Sequence, residues 1–477
     1  MMKNYTTASK DIVPLGEKVA FGAGNLVNNL LPGALGVFMF FLVTAFGMDP
    51  FLAGLLSGLP RILDAITDPI MGYISDNTRS KFGRRRPYIF IGAILSGGLF
   101  AVLWQLDAEQ SMMFNFWYFL IFSLIYIIGN TIFSAPLIGL GYEMTSDYDE
   151  RTRLMGLSQT IGQLAWMIVP WFWIIIADPN IFETQVIGVQ RLSIIVGAAC
   201  MLLGVLPAIF CKGMDSTKME GLKPIKLKSL WRTLVDLVKG IGLMFKNIPF
   251  VRLCGATFLV FNGYQLVSSF SYFIIVYYMF DGVAAAAGIW PPLFSSVGAL
   301  ISAVVVIPIV THLSNKYGKR KAFIIATVLS IIGYALKWWG FNPENPWLLF
   351  MPLPLMNFGI GGLFTLMMSM TADVCDLDEL NNGSPRKEGT FGAIYWWMVK
   401  LGMALAMVLG GLVLKVVGFD QTAATQTAET IQQLRIADIA IPVVTAALAV
   451  WVMWGYDLTE KRVREIKEAL VARRGEL

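Results

Sequence analysis

Charged side chains inside long apolar runs are the residues of this sequence best placed to do chemistry, because a charge at mid-bilayer costs at least about 2.5–3.5 kcal/mol on insertion scales. The segment PRILDAITDP sets Arg61, Asp64 and Asp68 at i, i+3 and i+7. On a helix these share one face and point at a common partner or cavity. Two carboxylates one turn apart either hold a hard cation such as Na+ between their oxygens, with hydroxyls or carbonyls completing the shell, or share a proton whose affinity their repulsion raises. The alternative is a structural triad in which Arg61 neutralises one acid and nothing moves. Arg61 alone suits that role, and it leaves one net negative charge. Lys400, in IYWWMVKLGMALAMV, sits too deep in its apolar run to snorkel. It needs an anion, and Asp64 and Asp68 are the candidates, through a link whose strength changes as a cation arrives. Lys337 and Lys415 fall nearer the outer ends of their runs and are expected to snorkel.

Residues of this kind need spanning helices to position them, and the composition supplies these. Of 477 residues, 56% are hydrophobic and only 14% charged, where a soluble protein carries about a quarter charged. A spanning helix takes about 20 apolar residues to cross about 30 Å of hydrocarbon. Twelve such runs are expected, near 20–47, 51–75, 87–106, 113–141, 155–177, 192–211, 248–280, 283–311, 322–341, 345–372, 389–418 and 437–456. The fold class is therefore an all-α membrane protein. The polar start, MMKNYTTASKDIVPLGEK, has no small-residue cleavage site and is expected to remain. Cys200, Cys211, Cys254 and Cys375 follow no paired or metal-like spacing and read as packing residues.

The net charge of +5 reflects topology rather than nucleic-acid binding. Most of the 37 Lys and Arg residues fall in the N-terminal tail, the even-numbered loops and the C-terminal tail, which places both termini in the cytoplasm. The expected organisation is an N-terminal six-helix bundle (1–211), a central cytoplasmic loop (212–247), a C-terminal six-helix bundle (248–456) and a tail (457–477). In the loop, Leu230, Leu234, Leu237, Ile241 and Met244 have the spacing of a surface helix, though a plain basic linker reads equally well. In the tail, Asp457 as N-cap and Glu460, then Val463, Ile466 and Leu470, read as an amphipathic helix, with a solvated tail as the alternative. SKFGRRRPYIFI (80–91) recurs as NKYGKRKAFIIA (315–326), and DYDE (147–150) echoes DLDE (376–379). The echoes fall in corresponding loops and imply a parallel duplication with a central site between the halves.

Polar residues that suit a solute cavity are Asn28, Asn29, Asn130, Thr131, Ser134, Gln159 and Gln163 from the first half, and Asn262, Tyr264, Gln265, Tyr395 and Trp396 from the second. Amide hydrogen bonds and aromatic faces are how a hydroxyl-rich ring is held, although buried amides also join helices. As a set they point to an uncharged polar or amphipathic small molecule. His312, the only histidine, lies at a span end, so no histidine relay is expected. The cluster RSKFGRRRP, with Arg84 and Arg85, suits gating ion pairs to Glu143, Asp147, Asp373 or Asp376, over and above its role in orientation. One histidine and unclustered cysteines do not make an enzyme, and no soluble output domain marks a sensor.

Three segments carry a family resemblance: RILDAITDPIMGYISDNTRSKFGRRRPYIFIGA (61–93), YEMTSDYDERTRL (142–154), and TADVCDLDEL with RKEGTFGAIYWWMVK (371–400). Together they resemble the glycoside–pentoside–hexuronide:cation symporters of the major facilitator superfamily, the family of the melibiose permeases. The resemblance implies a twelve-helix major facilitator fold in the inner membrane, surrounded by lipid and working as a monomer. It also implies symport of a sugar or glycoside with Na+ or H+ and no other cofactor. Asp64 and Asp68 match the cation-coordinating acids, Thr131 a fourth-span threonine of that site, and Lys400 an eleventh-span lysine near it. Thr67 stands where sodium-coupled galactoside members have an asparagine, so both ions stay open. Galactoside carriers have acids at Asn28 and Ser134, an arginine at Gln159, and tryptophans at Ile138 and Phe364. Those changes imply a different substrate, another glycoside or a more amphipathic solute such as a lysolipid.

Overall fold

The computed structural model describes residues 12–145, 148–213, 216–217, 231, 235, 242, 245–382 and 388–474. Among these, every regular element is helical. Hydrocarbon offers no partner for a backbone N–H or C=O, so the chain satisfies them within helices. The first six spans are α1 (Leu15–Thr44), α2 (Pro50–Asn77), α3 (Arg86–Leu103), α4 (Met112–Glu143), α5 (Tyr148–Ile168, continuing through a tight turn into Phe172–Ala177) and α6 (Gln185–Gly204). The next six are α7 (Ile248–Ile274), α8 (290–317, with a wider turn at Ser302–Val306), α9 (Lys319–Gly340), α10 (Leu353–Asn382), α11 (Glu388–Val416) and α12 (Ala428–Trp454).

Eleven of the described helices are long and apolar enough to cross a membrane. α2 falls outside that set because its 28 residues include Arg61, Asp64 and Asp68. The one span outside that set is thus the helix carrying the candidate site, and with it the spans among the described residues number twelve. α6 and α12 start about two turns earlier than hydropathy indicates. The Thr184 and Thr427 hydroxyls accept from the amides of Ile187 and Thr430, each at 3.2 Å, so polar first turns stay helical beyond the hydrocarbon.

The chain divides into two compact units, Met1–Asp49 with Leu59–Leu234 and Pro50–Gly58 with Val235–Leu477. Within the first, α1 packs on α5 and α6, and α3 on α4 and α6. Within the second, α7 packs on α11 and α12, and α9 on α10 and α12. The pairs are the same, shifted by six helices, as a duplicated unit requires. Small residues allow the close crossings. A Cβ on Gly97 would lie 2.5 Å from the Gly197 carbonyl oxygen, and one on Gly333 would lie 2.2 Å from the Met356 nitrogen. Aromatic rings fill the wider gaps, with Phe38 5.2 Å from Trp104 and 5.8 Å from Phe100.

The tail forms α13 (Glu460–Arg474), which starts at Glu460, so that Thr459 and not Asp457 precedes its first residue. Its Val463, Ile466 and Leu470 pack into the core of the second unit, beside Leu377 and Leu380 of α10. The stripe from Leu230 to Met244 lies outside the described residues. The four cysteines are buried.

Candidate cation and solute site

The site is built on a helix with two prolines. Pro60 and Pro69 have no N–H to donate, so the carbonyls of Leu56 and Ala65 lose their helical donors on either side of the acids. Asp64 is buried, at 4% exposure. Its Oδ1 accepts a hydrogen bond from Thr131 Oγ1 of α4 at 3.2 Å. Thr67 Oγ1 lies 3.0 Å from Thr131 Oγ1 and 3.3 Å from the Asp64 carbonyl. Thr131 gives its one proton to the carboxylate, so Thr67 supplies the proton for the contact between the two hydroxyls. Three side chains and a carbonyl thus converge as an oxygen cluster in the interior of the first unit.

Two further charged groups lie on the same helix. Arg61 is buried, and its Nη1 stands 4.0 Å from Asp64 Oδ2, too far for the 2.7–2.9 Å of a charge-assisted hydrogen bond. Asp68 lies half-buried one turn further along α2. Two carboxylates and one guanidinium thus share this helix face. Carboxylate and hydroxyl oxygens are ligands of the kind that suit a hard cation or a proton. Among the described residues no group of three or more Asp, Glu, His or Cys exists that would hold a metal ion by itself.

The other sequence-predicted residues are placed less uniformly. Asn28 is half-buried on α1, Ser134 half-buried and Ile138 exposed on α4, and Gln163 exposed on α5. The side chain of Gln159, and Asp147, lie outside the described residues. In the second unit, Tyr264 and Gln265 are half-buried on α7 and Lys400 is half-buried on α11. Phe364 and Trp396 stack at 6.3 Å with a 19° interplanar angle, both well exposed. Tyr395 is buried in the core of the second unit. Asn262 turns back on its own helix, donating to the Phe258 carbonyl at 2.7 Å beside Gly402. That contact is one by which a buried amide stabilises packing.

The basic loop pairs with acids of its own unit. Arg84 Nε donates to Glu143 Oε1 at 2.6 Å and its Nη1 to the Asp76 carbonyl at 3.0 Å, while Arg85 Nη2 reaches Asp76 Oδ1 at 2.6 Å. Lys319, at the repeat position of Arg84, pairs with Asp373 at 2.5 Å. Asp376 is buried on α10.

One buried charge pair escaped the sequence reading. Lys337 does not snorkel. Its Nζ lies 2.5 Å from Asp438 Oδ2 of α12, with side-chain exposures of 0% and 2%, and it donates to Ser271 Oγ of α7 at 3.3 Å. An anion within reach inside the bundle is a better partner for an ammonium than a route past the ring of Phe341, whose centre is 5.0 Å away. The available signal was an acid in the apolar run IADIAIPVV of the neighbouring span. Nearby, Arg435 lies over the rings of Tyr278 and Trp338, at 4.0 and 4.4 Å. Lys415, in contrast, is exposed.

With this geometry in hand, the comparisons with known proteins are consistent. Residues 20–460 match the family described as MFS/sugar transport protein. The glucuronide carrier protein homolog of Escherichia coli K12 is 26% identical over 459 residues, covering 94% of this chain and 93% of its own length. The isoprimeverose transporter of Lactiplantibacillus pentosus is 23% identical over 450 residues, covering 92% and 88%. Among solved structures, a D-xylose-proton symporter superposes with a TM-score of 0.59 at 16% identity, covering 94% of this chain and 98% of that one. The nucleoside transporter NupG gives 0.61 at 15%, covering 92% and 100%. At those identities the structures speak to the fold alone.

Proposed function

Because the chain belongs to the MFS/sugar transport protein family, a family of membrane carriers and not of enzymes, we propose that it takes up a sugar or glycoside by symport with Na+ or H+. The observation that carries the coupling assignment is the oxygen cluster of Asp64, Thr131 and Thr67, one helical turn from Asp68. A cation or proton entering there changes the charge on α2, so that the loaded and empty protein differ in the electrostatic cost of their conformations. Coupling follows because a ligand shifts a conformational equilibrium by its differential affinity for the two states. The solute crosses by alternating access of the two six-helix bundles. Both termini face the cytoplasm, the membrane is the inner membrane, and the working unit is a monomer. Lys400 is assigned to coupling and Arg61 to holding Asp64 in place. Neither the matched family nor the named relatives favour a lysolipid carrier or a sensor.

The test is uptake by the purified protein in proteoliposomes, with a panel of neutral and acidic glycosides and an imposed Na+ or pH gradient. Wild type should accumulate at least one glycoside against its gradient with one of the ions, and Asp64→Asn should not. Undiminished gradient-driven accumulation by Asp64→Asn would remove the coupling site. Failure of the wild type with every glycoside would remove the sugar assignment.

A further inference from the structure

α5 is exposed along an arc whose two edges differ in chemistry. Leu164, Ile168 and Trp171 form an apolar exposed edge, as lipid requires. Gln163 and Trp166 form the other edge, also exposed. A glutamine amide facing hydrocarbon is costly, so this second edge faces water or solute. Trp166 is also too deep to belong to an interfacial aromatic belt. It lies eleven residues before the end of the span at Ala177, or about 16 Å at 1.5 Å per residue.

The indole is held by a relay of amides with a single polarity. Trp166 Nε1 donates to Asn29 Oδ1 at 3.3 Å. Asn29 Nδ2 donates to the Asn25 carbonyl at 2.8 Å, and Asn25 Nδ2 donates to the Ser158 carbonyl at 3.0 Å. The carbonyl of Asn25 can only accept, so the Asn29 amine must face it and the Asn29 oxygen is left for the indole. The space for both amides exists because residue 162 is glycine. A Cβ there would lie 2.5 Å from Asn25 Nδ2 and 3.0 Å from Asn29 Nδ2. The polar edge of Trp166 is therefore satisfied inward, and the ring remains 43% exposed in a fixed orientation.

We propose that Trp166 is a ring-stacking contact for the transported sugar on the first bundle, and that Asn29 is its positioning residue. An aromatic face takes the C–H side of a pyranose, and the Gln163 amide beside it suits the ring hydroxyls. This inference rests on the sugar reading above, and the experiment separates the two. In proteoliposomes, uptake of a glycoside that the wild type accumulates is measured for W166L, W166F, N29L and the W166F/N29L double variant. W166L should raise KM about 5–10-fold with Vmax within about twofold of wild type. W166F and N29L should each raise KM about 2–3-fold, and the double variant no further, because both remove the same hydrogen bond. An unchanged KM in W166L, a loss confined to Vmax, or multiplied effects in the double variant would overturn the assignment. Should W166L fail to fold, the W166F/N29L cycle decides alone. If the wild type accumulates no glycoside, the sugar reading fails and the stacking role fails with it.

Discussion

The two units each bury charge, and they do so in opposite ways. In the first, Arg61 and Asp64 stand 4.0 Å apart with side-chain exposures of 10% and 6%, and a second acid follows one turn along. In the second, Lys337 and Asp438 lie 2.5 Å apart with exposures of 0% and 2%. The second arrangement is sealed, and it joins α9 to α12, with Ser271 of α7 alongside. In the first, the acid and base stand farther apart, and the hydroxyls of Thr131 and Thr67 gather at Asp64. Equal burial therefore does not mean equal role. An ion pair at hydrogen-bond distance fastens helices, whereas the oxygen cluster at Asp64 is the site proposed for the coupling cation.

The largest effect should come from the oxygen cluster. Asp64→Asn is expected to reduce the accumulation ratio in proteoliposomes to about one, and retention of concentrative uptake would place both clusters in the same structural class. The fastener should answer in stability. Lys337→Met strands Asp438, at about 3–5 kcal/mol, and should lower the melting temperature in detergent by roughly 6–20 °C. Lys337→Met with Asp438→Leu should recover most of that loss. A double variant as unstable as the single one would show that the pair does more than fasten. Thr131→Ala removes a hydrogen bond to a carboxylate and should weaken the apparent cation affinity roughly 10–100-fold, while Thr131→Ser keeps it near wild type. Equal effects of Ala and Ser would shift the role from the hydroxyl to the methyl group. The smallest effect should be at Arg464, which pairs with Glu460 at 2.5 Å but is exposed. Arg464→Gln should change stability by about 0.5 kcal/mol or less. A larger loss would mean that distance, not burial, separates the fasteners from the rest.

Much of the architecture was legible in the chain itself. Apolar runs of spanning length show where helices cross, and the recurrence of SKFGRRRPYIFI as NKYGKRKAFIIA shows the duplication that the helix pairings repeat. Helix ends were less legible, because hydropathy marks the hydrocarbon while a capped polar turn such as the one at Thr427 extends beyond it. Among charges, Asp64 and Asp68 were legible because spacing along one helix is a local property. Lys337 was misjudged because its distance from a span end is local too, whereas its partner on α12 is not. Asn29 could be read as polar and inward, but not as the acceptor for an indole 137 residues away.

The sequence by itself determined what must be buried: the spans, their six-fold offset, and a helix face with two acids and one base. These follow from composition and from the 3.6-residue period, which need no knowledge of neighbours. Only the tertiary structure decided how each buried charge is met. It set Thr131 against Asp64 and left Arg61 at 4.0 Å, yet brought Lys337 to 2.5 Å from Asp438. The physical reason is that electrostatic energy depends on separation and local dielectric across helices, and both are properties of packing.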